Sequence, residues 1–364
     1  MLTEEDFIAL CFKPLIEGNQ SGQRGARNPG AAPLANQRIN SFDLQDDAAS
    51  LTQREGYELI LSKDILLEGQ HFLKNDPPET LAEKALAVNL SDLAAKGATP
   101  TGFMLGIALP TAPEREWATA FSNGLKLISE RYACPLIGGD TTGSKSGLML
   151  SVTILGEVPA GKMINRHSAN KGDHLFVTGT LGDAALGFQL LNGQIHSDDY
   201  DLTSEEYTYL KGKYQRPTPR LAASPILQHY ATAAMDLSDG LVKDLPKLCT
   251  ASGLGAEINI QNFPLSMPAQ KYLSRVSDSA AALAEIVSWG DDYELLFAVR
   301  PDDHAALRAG AEKSGCHLTE IGRLSEATSE GSGVVKYLDK TGKAIPFKGK
   351  PFTHFGGDET VKSS

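Results

Sequence analysis

Carboxylates set beside hydroxyls and backbone oxygens recur along this sequence. They occur at Asp46-Asp47-Ala48-Ala49, Ser62-Lys63-Asp64, Asn89-Leu90-Ser91-Asp92, Gly138-Gly139-Asp140-Thr141-Thr142, Asp236-Leu237-Ser238-Asp239 and Gly290-Asp291-Asp292-Tyr293-Glu294. Such hard oxygen donors suit Mg²⁺ rather than zinc or copper. No HExxH motif and no run of His and Cys competes with that chemistry. Each motif also has a plain structural reading. Asn89, Asp92 and Lys96 share one helical face, which serves a solvated i,i+4 pair as well as a ligand. Asp92 lies in the second half of its helix, where the macrodipole disfavours an anion. Asp236 and Asp239 converge if helical, or form an N-cap followed by a first-turn acid. Asp46-Asp47 and Asp291-Asp292 are each compatible with ordinary turns. Six such motifs in one chain shift the balance towards metal.

Gly138 to Ser146 approaches a phosphate-binding P-loop, but Ser144 stands between Gly143 and Lys145, so the pattern fails. No GxGxxG fingerprint occurs, and Gly179-Thr180-Leu181-Gly182 reads as a tight turn. No Ser/His/Asp or Cys/His constellation offers a nucleophile with its base. The net charge of −11 repels phosphate esters, so an anionic substrate needs bound cations to be held. That charge also provides no basic field for nucleic acid.

The elements that must position these residues follow from periodicity and punctuation. At 364 residues, 41% of them hydrophobic and 22% charged, the chain is long enough for two cores. A helix starts at Thr3 and runs to Leu15. Gly18–Asn40, rich in Gly, Asn, Gln and Pro, reads as a mobile loop, with a lid as its functional alternative. Tyr57–Leu61 is a strand ending near Asp64. A helix opens at Pro78-Glu79-Thr80 and is closed by Gly97 and Pro100. Phe103–Leu109 and Leu148–Leu155 are buried strands with a helix, Glu114–Tyr132, between them. Leu175–Thr178 is a short strand before a helix at Asp183. Another helix follows Arg216-Pro217-Thr218-Pro219, and strands and helices alternate to the C-terminus. AVNLSDLAAKG (Ala87–Gly97) and AMDLSDGLVKD (Ala234–Asp244) echo one another, consistent with two related α+β halves split near residues 158–165. Isolated Cys11, Cys134, Cys249 and Cys316 form no CxxC pair, the N-terminus lacks a signal-peptide pattern, and no run spans a bilayer. A cytoplasmic protein with no membrane partner is expected.

Taken in order, DDAA, Asp64…Gly69-x-His71-Phe72, KALAVNLSDLAAKGATP, IGGDTT, VTGTLGDAALG, DLSDGL, GDDYELLF and Phe347-Lys348-Gly349 are similar to thiamine-monophosphate kinases, from about residue 42 to 355. The resemblance implies an α/β (α+β) fold with two related α/β domains of the aminoimidazole ribonucleotide synthetase-like type. It implies an N-terminal ATP- and Mg²⁺-binding domain, 1–160, pairing into a homodimer, and a C-terminal domain, 161–364. The implied activity is ATP-dependent phosphorylation of thiamine monophosphate, with ATP as co-substrate and several Mg²⁺ ions as cofactors. Metal ligation is implied for Asp47, Ser62, Asp64, Asp92, Asp140, Asp236 and Asp239. Nucleotide contacts are implied for Gly139, Asp140, Arg166 and Ser238, and substrate contacts for His71, Asp291 and Phe347. No residue is a dedicated catalyst, because the nucleophile is a phosphate oxygen. Its second ionisation lies near pH 6, so it needs no base. Bland rivals remain: His71 in the core, Arg166 in a surface ion pair, Phe347 in ordinary packing.

The chain departs from the family pattern at Leu44-Gln45, where Gly is usual before the Asp pair. It departs again at Lys63 for Thr, at Asp291 for Glu, and in the long Gly18–Asn40 insertion. The alternatives are a non-catalytic nucleotide-binding protein or another enzyme of the superfamily, such as selenophosphate synthetase. Phe12 between Cys11 and Lys13, and the ending Lys362-Ser363-Ser364, disfavour the second.

Overall fold

The structure is a computed structural model and describes residues 2–15, 39–44 and 47–349. The expected loop at Gly18–Asn40 falls outside the described residues, apart from its last two. Of the described residues, 2–93 and 98–161 form one compact unit, and 94–97 with 162–349 form a second.

In the first unit, α1 (Glu4–Cys11) begins at Thr3, whose hydroxyl accepts from the Asp6 amide at 3.1 Å, and an acidic first turn favours its positive end. The short strands β1 (Ile39–Asn40) and β2 (Ser50–Leu51) pair with each other. Then come β3 (Tyr57–Leu67), α2 (Pro78–Ala95), β4 (Thr99–Leu109), α3 (Arg115–Arg131), β5 (Leu136–Gly143) and β6 (Met149–Pro159). The sheet runs in the order β3-β6-β4-β5, antiparallel except for the parallel pair β4–β5.

Alternation along these strands gives the sheet two unlike faces. Ile60, Leu66, Leu105, Ile107, Leu150, Val152 and Ile154 are buried on one face. On the other, Leu61, Ile65 and Met104 are 61%, 47% and 44% exposed. Helix α2 is buried almost all round, as its apolar run requires. Its Leu93 lies against Gly156 of β6, and Gly124 of α3 meets the Glu79 carbonyl so closely that a Cβ there would stand 2.1 Å from the oxygen.

Strand β3 is longer than Tyr57–Leu61 and carries Ser62 and Asp64 within its ladder with β6. The Gly138–Gly143 stretch, compared above with a phosphate loop, is most of β5.

The second unit contains β7 (His174–Thr178), α4 (Asp183–Leu191), α5 (Ser204–Gln215), α6 (Ser224–Tyr230), β8 (Ala231–Asp236), α7 (Leu241–Ala251) and β9 (Leu254–Asn259). It continues with α8 (Met267–Arg275), α9 (Ser279–Ser288), β10 (Leu295–Val299), α10 (His304–Ser314), β11 (Leu318–Glu326), β12 (Val335–Leu338) and β13 (Ala344–Ile345). Its sheet runs β13-β12-β9-β11-β7-β10-β8, antiparallel except between β12 and β9. Apolar side chains fill both faces. Leu175, Val177, Met235, Leu296 and Ile321 pack with α4, α7 and α9, while Phe176, Phe297 and Val299 pack with Leu227 of α6 and Leu307 of α10. Strand β10 is buried at all five positions, which explains its unbroken Leu-Leu-Phe-Ala-Val sequence.

The echoed Leu-Ser-Asp segments fall on different local structures. Asn89–Asp92 sits inside α2, whereas Asp236 ends β8 and Ser238-Asp239 lies in the loop before α7. Asp236 and Asp239 are therefore neither helical nor an N-cap with its first-turn acid; the N-cap of α7 is Gly240, with φ of 92°.

Gly139 shows how closely β4 and β5 approach. A Cβ there would lie 2.1 Å from the Leu105 carbonyl oxygen. Gly139→Ala is expected to destabilise the ligand-free protein by roughly 1–3 kcal/mol, as overpacking of a filled site does. Thermal unfolding without nucleotide checks this, and an unchanged Tm would refute it.

Candidate functional site

In the first unit the structure brings together Ser62, Asp64 and Asp92. Ser62 and Asp64 are two apart on β3 and so share its inner side, which α2 approaches with Asp92. The Ser62 hydroxyl donates a short hydrogen bond to Asp92 Oδ2. Burial, and then the neighbouring Asp92 charge, push the Asp64 carboxyl up to about 7. Lys63 cannot relieve this repulsion. It points to the opposite face, where Nζ donates to Ser151 Oγ at 2.6 Å and Thr153 Oγ1 at 3.4 Å.

Lys96 donates to the Ala234 carbonyl at 3.0 Å. Asn89 is buried and donates to the Ala85 carbonyl at 3.0 Å, leaving its Oδ1 without a hydrogen-bond partner among the described residues.

The other acidic positions of this unit are dispersed. Asp47 is exposed ahead of β2, and Asp46 lies outside the described residues. Asp140 pairs across the sheet with Gly106, and Gly106 with Ser151, which puts it in the row of Ile65 on the exposed face, opposite to Asp64. No three acidic ligand atoms of the described residues lie within 4.8 Å of one another. Mg²⁺ commonly keeps several waters and takes one or two carboxylates directly, so the pair Asp64 and Asp92 with the Ser62 hydroxyl fits such an ion.

His71 lies in the turn after β3, where its Nδ1 accepts from the Leu67 amide at 3.0 Å. A neutral ring with Nδ1 so engaged carries its proton on Nε2, making that nitrogen a donor. The buried Lys84 ammonium donates to the His71 carbonyl at 3.0 Å and fixes the turn from α2.

In the second unit, motifs far apart in sequence are joined through their backbones. Leu237 N–H donates to the Glu294 carbonyl at 2.8 Å, Tyr293 N–H to Leu237 at 2.9 Å, and Asp291 N–H to Ser238 at 2.9 Å. With the Asp236–Leu295 pairing of β8 and β10, these bonds hold Asp236, Ser238, Asp239 and Asp291 at one end of the sheet. The fit imposes strain: Asp291 and Tyr293 have φ of 59° and 49°, in the left-handed region. Such positions cost about 1–3 kcal/mol each and persist only where the surroundings over-determine them.

Asp239 is held by two lysines of α7. Lys243 Nζ stands 2.9 Å and Lys247 Nζ 2.5 Å from its Oδ2. Burial pushes the Asp239 carboxyl up, but the hydrogen bonds from Lys247 and Lys243 outweigh this and hold it below its ordinary value. Asp244 accepts from the Asp239 amide at 2.8 Å. Arg166 is exposed, and its carbonyl accepts from Ser252 Oγ at 2.8 Å. Phe347 lies against Tyr337 and Phe263, with ring centroids at 4.6 and 5.8 Å.

Sequence reasoning missed the network beneath these loops. Glu294 is buried, accepts from Thr178 Oγ1 at 2.7 Å and takes a two-pronged ion pair from Arg220. Asp292 accepts from the Gly182 amide at 3.0 and 3.1 Å through its two oxygens, and burial raises its carboxyl well above its ordinary value. Asp183 accepts from Thr180 Oγ1 at 2.6 Å, Tyr209 at 2.8 Å and Ser266. VTGTLGDAALG carried the available signal, since a Gly-rich turn ending in a buried Asp needs donors from elsewhere.

The raised Asp64 carboxyl has a direct consequence for stability. Its folded value, about 7, exceeds the ordinary 3.8, so the folded state binds more protons between them. Its contribution is full below about 3.8 and is lost as pH rises through 7. In EDTA, Asp64→Asn should therefore gain Tm over the parent protein as pH rises from acid to 8, with Mg²⁺ narrowing the gap. Parallel Tm curves across that window would refute this.

The model of the family described as AIR synthase related protein, N-terminal domain, matches residues 45–158, and the corresponding C-terminal domain matches 170–335. Thiamine-monophosphate kinase of Caulobacter vibrioides is 35% identical over 335 residues, 92% of this chain and 86% of that protein. The enzyme of that name from Salmonella typhimurium is 39% identical over 312 residues, 86% of this chain and 91% of its own. The crystal structure of thiamine-monophosphate kinase from Stenotrophomonas maltophilia K279a matches with a TM-score of 0.75 at 34% identity, covering 91% of this chain and 96% of that one. A structure of AaThiL complexed with AMPPCP and TMP matches with a TM-score of 0.69 at 28% identity, covering 98% and 99%. On these matches, which span both units, the chain belongs to the AIR synthase related proteins and, among them, to the thiamine-monophosphate kinase family.

Proposed function

We propose that this protein transfers the γ-phosphoryl group of ATP directly, in line, to a phosphate oxygen of thiamine monophosphate, aided by Mg²⁺ that its acidic residues would hold. The observation that carries the metal reading is the Ser62, Asp64 and Asp92 group, whose carboxylates repel each other and favour a bound cation. Family membership, with the AMPPCP and TMP complex of AaThiL, supports the choice of nucleotide and acceptor. Asp47, Ser62, Asp64, Asp92 and Asp140 in the first unit, and Asp236 and Asp239 in the second, serve the metal ions. Asp239 does so by releasing its lysines. Gly139, Arg166 and Ser238 serve the nucleotide; His71, Asp291 and Phe347 serve the substrate. When bound, Mg²⁺ supplies charge neutralisation between the polyanions. His71 acts as a donor, because its Nδ1 is occupied by the Leu67 amide. The protein works in the cytoplasm, a reading supported by four unpaired cysteines and by the lack of any membrane-spanning helix among the described residues.

The acceptor choice follows from the missing base. Thiamine offers an alcohol that holds its proton at neutral pH, whereas thiamine monophosphate offers an oxyanion that also binds Mg²⁺. Thiamine monophosphate should turn over and thiamine should not, measured as ADP release and thiamine diphosphate formed. Comparable rates with thiamine, abolished by His71→Asn, would overturn both the acceptor and the role of His71.

A symmetric homodimer through the first unit completes the reading. Leu61, Ile65, Leu67 and Met104 leave one sheet face apolar and exposed, at a cost in water that pairing with a second copy removes. Asp140 shares that face, so pairing would place it at the seam. Light scattering should give twice the chain mass for the parent protein and the single mass for Ile65→Glu; a parent protein of single mass at micromolar concentration would refute the dimer.

A further inference from the structure

Three side chains outside every motif discussed above meet on the second unit. His174 begins β7, Glu320 lies on β11, and His304 opens α10. His174 Nδ1 is 2.6 Å from Glu320 Oε1, and His304 Nε2 is 2.8 Å from Glu320 Oε2. The potential ligand atoms all lie within 4.8 Å of one another. The two rings, 5.1 Å apart between centroids and inclined at 60°, converge on the carboxylate rather than stack.

The fold fixes this meeting. Glu320 pairs with Phe176, and a bulge follows before Gly322 pairs with Leu175, so Glu320 stands on the face shared by Phe176 and His174. Leu307 and Ala311 of α10 pack in the same cluster as Phe176, which seats His304 over that face. Each residue comes from a different element, and each side chain remains 28–29% exposed, so water can reach the group. Burial raises the Glu320 carboxyl, but hydrogen bonds from His174 and His304 outweigh it and keep the group below its ordinary value. The carboxylate is therefore ionised at neutral pH.

We propose that His174, His304 and Glu320 bind a divalent transition-metal ion of the Zn²⁺ class, with one position left to water, and that the ion clips α10 to β7 and β11. Two imidazoles and one carboxylate are a zinc-type donor set, unlike the oxygen sets offered to Mg²⁺. At bonds of about 2.0–2.2 Å the ligand atoms of a tetrahedral ion stand roughly 3.3–3.5 Å apart, within reach of side-chain rotation from the observed spacing. The ion takes the place of any proton that a ring nitrogen shares with the carboxylate, and that proton leaves to solvent.

Two features oppose the ion. Arg308 Nη2 lies 3.5 Å from Glu320 Oε2 and its Nε 3.4 Å from His304 Nε2, and the positive N-terminal end of α10 points at the site. Arg308 is 54% exposed, so its side chain can swing clear. This opposition gives the test a sign that casual surface binding would not share.

The experiment is competitive Zn²⁺ titration of the full chain against a chromophoric chelator, with millimolar Mg²⁺ present to occupy the oxygen sites. The parent protein should take up one equivalent more than His174→Ala/His304→Ala, and Zn²⁺ should raise its Tm but not that of the double variant. Glu320→Gln, which keeps shape, should lose the same equivalent and serves if the double variant does not fold. Arg308→Gln should bind Zn²⁺ more tightly than the parent. Equal stoichiometry and equal Tm shifts across parent and variants, or weaker binding by Arg308→Gln, would overturn the proposal. Because the readouts are binding and unfolding, they stand apart from the phosphoryl-transfer reading.

Discussion

Two carboxylates held near each other at the edge of an apolar core set the terms for the first unit. Asp64 and Asp92 repel, and the hydroxyl of Ser62 lessens that repulsion without cancelling it. Such an arrangement survives only where strong forces fix its carriers. Strand β3 is paired with β6 along its full eleven residues, and α2 is buried around most of its surface. The hydrophobic effect thus holds in place a polar group that would otherwise drift apart. The repulsion is in turn the source of any affinity for a cation, since binding one removes the cost.

The second unit handles its acidic residues differently. Glu294 is matched by Arg220, Asp239 by Lys243 and Lys247, and Asp183 by three hydroxyls. A buried ion pair such as Glu294 with Arg220 adds little net stability, because desolvation offsets its attraction. Its use here is positional. The Glu294 carbonyl receives the Leu237 amide, so fixing the Glu294 side chain also fixes the loop that presents Ser238 and Asp239. The left-handed Asp291 and Tyr293 are held by the same backbone bonds, which is how the strain is sustained.

Much of this was legible in the sequence, for identifiable reasons. Helices α2 and α3 and strands β4, β6 and β7 announce themselves by apolar periodicity and by Gly or Pro at their ends. Strand β5 does not, because Gly-Gly-Asp-Thr-Thr-Gly lacks β-branched apolar residues; its close approach to Leu105 requires glycine instead. The Leu-Ser-Asp core at Asp236–Asp239 leaves a helix and an N-cap equally open, because the same core lies inside a true helix in α2 and in a loop before α7. Arg220 and Glu294 could not be paired from the chain alone, being 74 residues apart with no periodic relation. Nor does the motif around Phe347 show that its ring packs on Tyr337 and Phe263, which lie far from it in sequence or carry no periodic relation to it.

Donor chemistry separates the two kinds of cation that the chain can attract. The acidic motifs offer carboxylates and hydroxyls, and His71, seven residues after Asp64, has Nδ1 engaged by a backbone amide. A transition ion gains little there over Mg²⁺, because the donors are hard oxygens. At His174, His304 and Glu320 the order reverses, because imidazole nitrogen favours the later transition ions. Arg308 beside that group opposes any cation, a cost that a strongly coordinated ion offsets better than Mg²⁺ does. On the two proposals, ligand type alone would keep a structural ion and the reacting ions apart.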